Sequence, residues 1–298
     1  MANNISYEDY MKLKPASKAI HKAYIDFGDT SEDAKKNIQR EVERFRGVKV
    51  AWESTRMHFF TESIHPDIAS PERPRVMLLF SNPLPESVCE GLFMSEKRSR
   101  GFWEIVRGIN QLGINYDFCW DEHGIQEAVS LLLNGDYGNR RSPLLFFDCL
   151  YQIPSKAPDD LRKLFCRRSG DFDRYLRRPS LERIGRIINR YDIKTVLVFE
   201  GDTFESIIGE RGISKGYREI LCSAVRGTIK EKKRNKEVFW EQMDEHKLRR
   251  QVDIPDLNHS CTAIKVMNTR AKDWWKNGGR SIFSWVLEYA LEYATEAT

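Results

Sequence analysis

Four short, mainly apolar runs constrain this chain more than any other feature: "VMLLF" at 76–80, "LLFFDCL" at 144–150, "TVLVFEG" at 195–201 and "TAIKVMN" at 262–268. A strand with one wet face alternates apolar and polar residues, whereas a strand covered on both faces is apolar throughout. Intervals of 40 to 70 residues separate these runs, room for helical crossovers between parallel strands. The expected fold is therefore α/β, a three-layer sandwich around a central, mostly parallel four-stranded sheet. In such sheets ligands bind beyond the carboxyl ends of the strands. That directs attention to the segments 81–86, 148–154, 201–204 and 268–275.

The first 70 residues read differently. "TSEDAKKNIQREVERF" places Thr30 and Asp33 in capping-box spacing and Ile38, Val42 and Phe45 at helical intervals. "HPDIASPERPR" then interrupts with three prolines. An N-terminal helical extension over 1–70 and a main domain over 71–298 are expected. The stretch 222–260 fits no strand and carries the basic run "KEKKRNKEVFW", so it reads as a mobile insertion.

The 6 cysteines contain no C-x-x-C pair and the 6 histidines are equally dispersed, which disfavours a structural metal. No apolar run is long enough for a membrane span, and neither a signal peptide nor a cofactor motif of the G-x-G-x-x-G or P-loop kind occurs. A cytoplasmic, cofactor-free, monomeric protein is the expectation. Net charge is only +4, but between Leu161 and Arg190 there are ten Lys/Arg against three Asp/Glu, with Phe165, Phe172 and Tyr175 interleaved. Arginine forks match phosphate and their planes stack on bases, so this stretch suits nucleic acid, with a solvated helix face as the alternative.

Taken in order, the loops after the four runs resemble the uracil-DNA glycosylase superfamily. Phe80-Ser81-Asn82-Pro83-Leu84 stands where the family has G-x-N-P-G. Gly91-Leu92-Phe93 and Arg100-Gly101-Phe102-Trp103 follow, similar to the family's Gly-aromatic pair and its N-R-F-W helix start. "FFDCLYQIPS" has Asp148 where the family carries a base-reading Asn. Met267-Asn268-Thr269-Arg270 occupies the place of an H-P-S or N-P-S loop. The resemblance covers roughly 75 to 290. It departs in two places, since the first loop lacks Gly and the last has neither His nor Pro.

The resemblance implies a monofunctional DNA glycosylase without metal or cofactor, acting on a base flipped out of DNA. Asn82 would orient the attacking water and Ser81, Pro83, Asn268 and Thr269 would line the base site. Phe93 would stack on the base, with Phe102 and Trp103 as packing residues. Arg100, Arg167, Arg168, Arg177, Arg178 and Arg270 would contact DNA phosphates. An ionised Asp148 only accepts hydrogen bonds, which disfavours uracil and suits an amino-bearing base such as a modified cytosine; a protonated Asp148 could instead donate to the departing base. Alternatively Asp148 caps a helix or pairs with an arginine. Some bacterial members of the superfamily excise glucosylated hydroxymethylcytosine in phage defence, and the departures are compatible with that branch. A catalytically inactive binding module of the same fold and a uracil-excising repair enzyme remain the competing readings.

Overall fold

The computed structural model of the chain describes residues 5–28, 32–42, 48–67, 72–97, 99–155, 161, 170–213, 236–266 and 279–296. The N-terminal segment, expected to be helical, is built around a three-stranded antiparallel sheet. Helix α1 (Tyr7–Lys12) starts at Ser6, whose hydroxyl accepts the Asp9 N–H. Strand β1 (Ile20–Asp26), helix α2 (Glu32–Val42) and strands β2 (Val50–Glu53) and β3 (Arg56–Glu62) follow, paired in the order β1-β3-β2. Helix α2 forms where the spacing of Ile38 and Val42 put it, and both are buried. The strands were hidden by their composition: "RMHFFTE" mixes Arg, His and Glu into β3, and the β2–β3 turn uses Ser54-Thr55 rather than an Asn-Gly pair. Ser54 nonetheless takes the left-handed conformation such a turn requires, with φ 53°.

The main sheet contains β4 (Arg75–Phe80), β5 (Leu144–Cys149), β6 (Thr195–Val198), β7 (Arg249–Gln251) and β8 (Thr262–Lys265). Its order is β5-β4-β6-β8-β7, with all pairings parallel except β7–β8. The four apolar runs are thus the four parallel strands, and the sheet gains a fifth, antiparallel edge strand within the stretch read as a strandless insertion. Strand β7 escaped notice because its Arg-Arg-Gln is part-exposed and carries no apolar pattern, as befits an edge.

Crossovers between these strands carry α3 (Pro85–Glu90), α4 (Gly101–Arg107), α5 (Glu122–Asn134), α6 (Arg178–Tyr191), α7 (Gly201–Ile207) and α8 (Lys236–Glu245), and α9 (Gly279–Glu296) follows β8. A π-helical turn at Asp173–Arg177 leads into α6. Helix α8 is integral to the core, since Phe239 and Met243 are 1% exposed. Successive residues of each parallel strand face opposite sides. Val76, Leu78 and Phe80 pack with α4, α5 and α9; Met77 and Leu79 pack with α6, α7 and the N-terminal sheet. Each such side chain, fully withdrawn from water, contributes about 1.5–3 kcal/mol.

The N-terminal sheet is tied to the main one directly. Beyond β3 the chain crosses to β5, where Ile64 and Phe147 exchange a pair of backbone hydrogen bonds, each 2.9 Å. Residues before the first parallel strand therefore cover the outer edge of the sheet.

Candidate active site at the strand ends

From β4 the chain moves outward to β5, and from β6 it moves the opposite way to β8. Loops leaving β4 and β6 therefore start in opposite directions, and the strand order places the expected ligand crevice between their carboxyl ends, where such sheets bind ligands. Ser81, Asn82 and Pro83 leave β4 there, and Glu200 leaves β6.

Backbone and side-chain bonds hold the Asn82 loop from both sides. The Ser81 N–H donates to Glu200 Oε2 at 3.1 Å. On the other side, Leu150 N–H donates to Phe80 O and Tyr151 N–H to Ser81 O, both at 2.8 Å. The Asn82 amide nitrogen donates to Ser155 O at 2.7 Å, to Ser155 Oγ at 2.9 Å and to Pro83 O at 3.2 Å. Two of these acceptors are backbone carbonyls, which cannot donate, so the orientation of the carboxamide is determined. Asn82 is half-buried, and its Oδ1 accepts no hydrogen bond among the described residues. Pro83 is buried and restrains Asn82 to an extended backbone. Beside it, Ser81 Oγ is buried without a hydrogen-bond partner among the described residues.

Asp148 lies in another network. Its carboxylate is 1% exposed, with Arg183 Nη1 at 2.9 Å from Oδ1 and 3.0 Å from Oδ2. His65 Nε2 lies 2.9 Å from Oδ2, and the Cys149 N–H donates to Oδ1 at 2.7 Å. Burial alone would raise the Asp148 pKa, but the Arg183 charge and the His65 contact outweigh it and hold the carboxyl below its ordinary value. Arg183 also donates to Cys149 O. Of the roles open to Asp148, pairing with an arginine is the one seen in the structure, and Arg183 and His65 occupy the acceptor sites assigned above to a base.

Phe93 is 1% exposed and packs on the opposite sheet face, 5.6 Å from the Phe80 ring and 5.8 Å from that of Phe147. Its position is that of a core residue rather than an open platform. Phe102 and Trp103 are fully buried packing residues, and Trp103 Nε1 donates to Phe93 O at 2.6 Å. Arg100 is half-buried: Nε donates to Ser95 O at 2.6 Å and the guanidinium lies 4.7 Å over Trp120. Trp120 stacks on Phe118 with centroids 5.9 Å apart, and the two rings border a cavity of about 230 Å³ with Trp103, Glu104 and Arg107. Arg177 and Arg178 pair with Asp173 and Glu182, each at 3.2 Å. Asn268, Thr269, Arg270, Arg167 and Arg168 lie outside the described residues.

Sequence reasoning passed over Glu200 and Lys265, although both stand inside quoted runs. Lys265 closes β8, is fully buried, and donates from Nζ to Phe199 O at 2.7 Å, to Val198 O at 3.3 Å and to Val266 O. Burial drives its pKa down to about 7, against the attraction of Glu200. A lysine within an otherwise apolar strand was the available signal, because a buried ammonium must have partners.

Among the described residues no group of three or more His, Cys, Asp or Glu is placed to hold a metal ion, and no helix is long and apolar enough to cross a membrane. The sequence matches no protein-family model and no curated protein.

Proposed function

We propose that this chain is a DNA glycosylase, hydrolysing the N-glycosidic bond of a base turned out of the helix, with Asn82 orienting the attacking water. The observation that carries the reading is the Asn82 carboxamide: both its protons are committed to Ser155 and Pro83, which leaves Oδ1 as an acceptor at the crevice. An acceptor held this way can align a water without reorganising as the reaction proceeds, and preorganisation of that kind is the usual main source of rate enhancement. In the reaction the water oxygen bonds to the anomeric carbon as the carbon–nitrogen bond breaks. The bonding pair leaves with the base, which takes a proton from solvent, and the attacking water releases one.

The argument for an amino-bearing base rested on Asp148, whose oxygens Arg183 and His65 engage, so modified cytosines and uracil are tested side by side. The assay incubates protein with oligonucleotides carrying cytosine, hydroxymethylcytosine, its glucosylated form or uracil, and scores alkali-labile abasic sites. Asn82→Ala is expected to lower the excision rate about a hundredfold or more while DNA affinity stays within a factor of a few. Tight DNA binding without abasic sites on any oligonucleotide would favour the inactive binding module instead.

A further inference from the structure

Three backbone segments meet at the crevice, and two charged side chains fasten them to one another. Glu200, at the end of β6, accepts the Ser81 N–H and so holds the Phe80–Ser81 peptide, one link before the peptide that leads into Asn82. Lys265, at the end of β8, holds Val198 O and Phe199 O, the two peptides just before Glu200, and also Val266 O on its own strand. The strands are level here, since Leu79 pairs with Val198 and Val198 with Lys265. Ladder bonds continue the line, from Phe199 N–H to Leu79 O at 3.2 Å and from Val266 N–H to Val198 O at 2.9 Å. Burying a lysine is costly unless every proton finds an acceptor. Three carbonyls at the carboxyl ends of two strands meet that demand; an apolar residue there would remove this donor from all three, leaving Val198 O with its ladder bond from Val266 N–H.

We infer that Glu200 and Lys265 are positioning residues that set the place of Asn82 in the crevice, Glu200 by gripping the Ser81 amide and Lys265 by fixing the end of β6 from which Glu200 projects. The inference rests on the glycosylase reading for its catalytic consequence, but its structural core, the grip on Ser81, can be measured without any substrate. Neither side chain is assigned to the reacting atoms. Their effect on rate comes through the place of Asn82, and a displacement of about 1 Å at such a group can cost on the order of a hundredfold in rate.

The test combines amide hydrogen exchange with kinetics. Glu200→Ala removes the acceptor and is expected to accelerate exchange of the Ser81 amide at least about tenfold and to lower kcat by about thirtyfold or more with KM little changed. Glu200→Gln keeps an acceptor oxygen and is expected to restore both. Lys265→Met, of similar length without the donors, is expected to accelerate exchange at Phe199 and Val266 as well as at Ser81. Wild-type Ser81 protection in Glu200→Ala would overturn the inference, whether or not a substrate has been found. Lost protection with wild-type kcat would overturn the catalytic half. Should the wild-type protein excise no base, the glycosylase reading fails while the exchange data still decide whether Glu200 holds the loop.

Discussion

Asn82 and Asp148 show how the same kind of side chain is given opposite duties by its neighbours. Asn82 has its donors tied down and an acceptor left over, and Asp148 has every oxygen engaged by Arg183, His65 and the Cys149 N–H. Asp148→Asn leaves the part-buried Arg183 without its counter-charge. Breaking a pair of this kind from one side costs about 3–5 kcal/mol, so a large fall in Tm is expected at neutral pH. The pH dependence follows from the direction of the shift. The folded Asp148 titrates below its ordinary value, so its stabilisation is complete above about pH 4 and disappears as pH falls through the lower, folded value. Wild-type stability is therefore expected to drop on acidification below about pH 4, with that limb shallower in Asp148→Asn. Urea titrations of both proteins from pH 2 to 7 read this directly, and parallel acid limbs would contradict it.

Strands announced themselves in the sequence in proportion to their burial. The parallel strands β4, β5, β6 and β8 are covered on both faces and read as mainly apolar runs, broken in β5 by Asp148 and in β8 by Lys265. Strands β1, β3 and β7 each leave residues in water, so charges interrupt their pattern, and β7 is an edge of three residues. The site was legible in the same uneven way. Asn82 stood out because a polar residue locked by proline follows an apolar run. Glu200 and Lys265 did not, because what distinguishes them is contact between strands far apart in sequence. Likewise the pairing of Asp148 with His65 joins residues 83 positions apart. Helix α6 and the π turn before it carry basic residues, where among the described residues Arg177 and Arg178 are engaged in i,i+4 pairs of the sort worth about 0.3–0.5 kcal/mol. Such pairs yield readily to phosphate. Neutralising Arg167, Arg168, Arg177 and Arg178 together is expected to weaken DNA binding for every sequence and to flatten its salt dependence, at about one unit of slope per lost phosphate contact. An unchanged slope would leave these arginines as a solvated face.

Across the whole molecule, the two sheets are joined because Ile64, just beyond β3, bridges to the outer edge of β5. The paired hydrogen bonds of Ile64 and Phe147 occupy backbone groups that would otherwise face solvent as an open strand. A bare edge beside the phenylalanines of β5 would be a template for other chains. The opposite edge, β7, has no such cover among the described residues and presents Arg249, Arg250 and Gln251, charges that discourage pairing. Ile64→Pro removes the N–H that seals the first edge, and concentration-dependent light scattering on mild heating is the expected result, with little change in scattering for a control such as Tyr24→Ser on the exposed face of β1. There is a consequence for biosynthesis as well. Ile64 precedes Phe147 by about eighty residues, so in synthesis the residue that covers this edge has left the ribosome before β5 emerges.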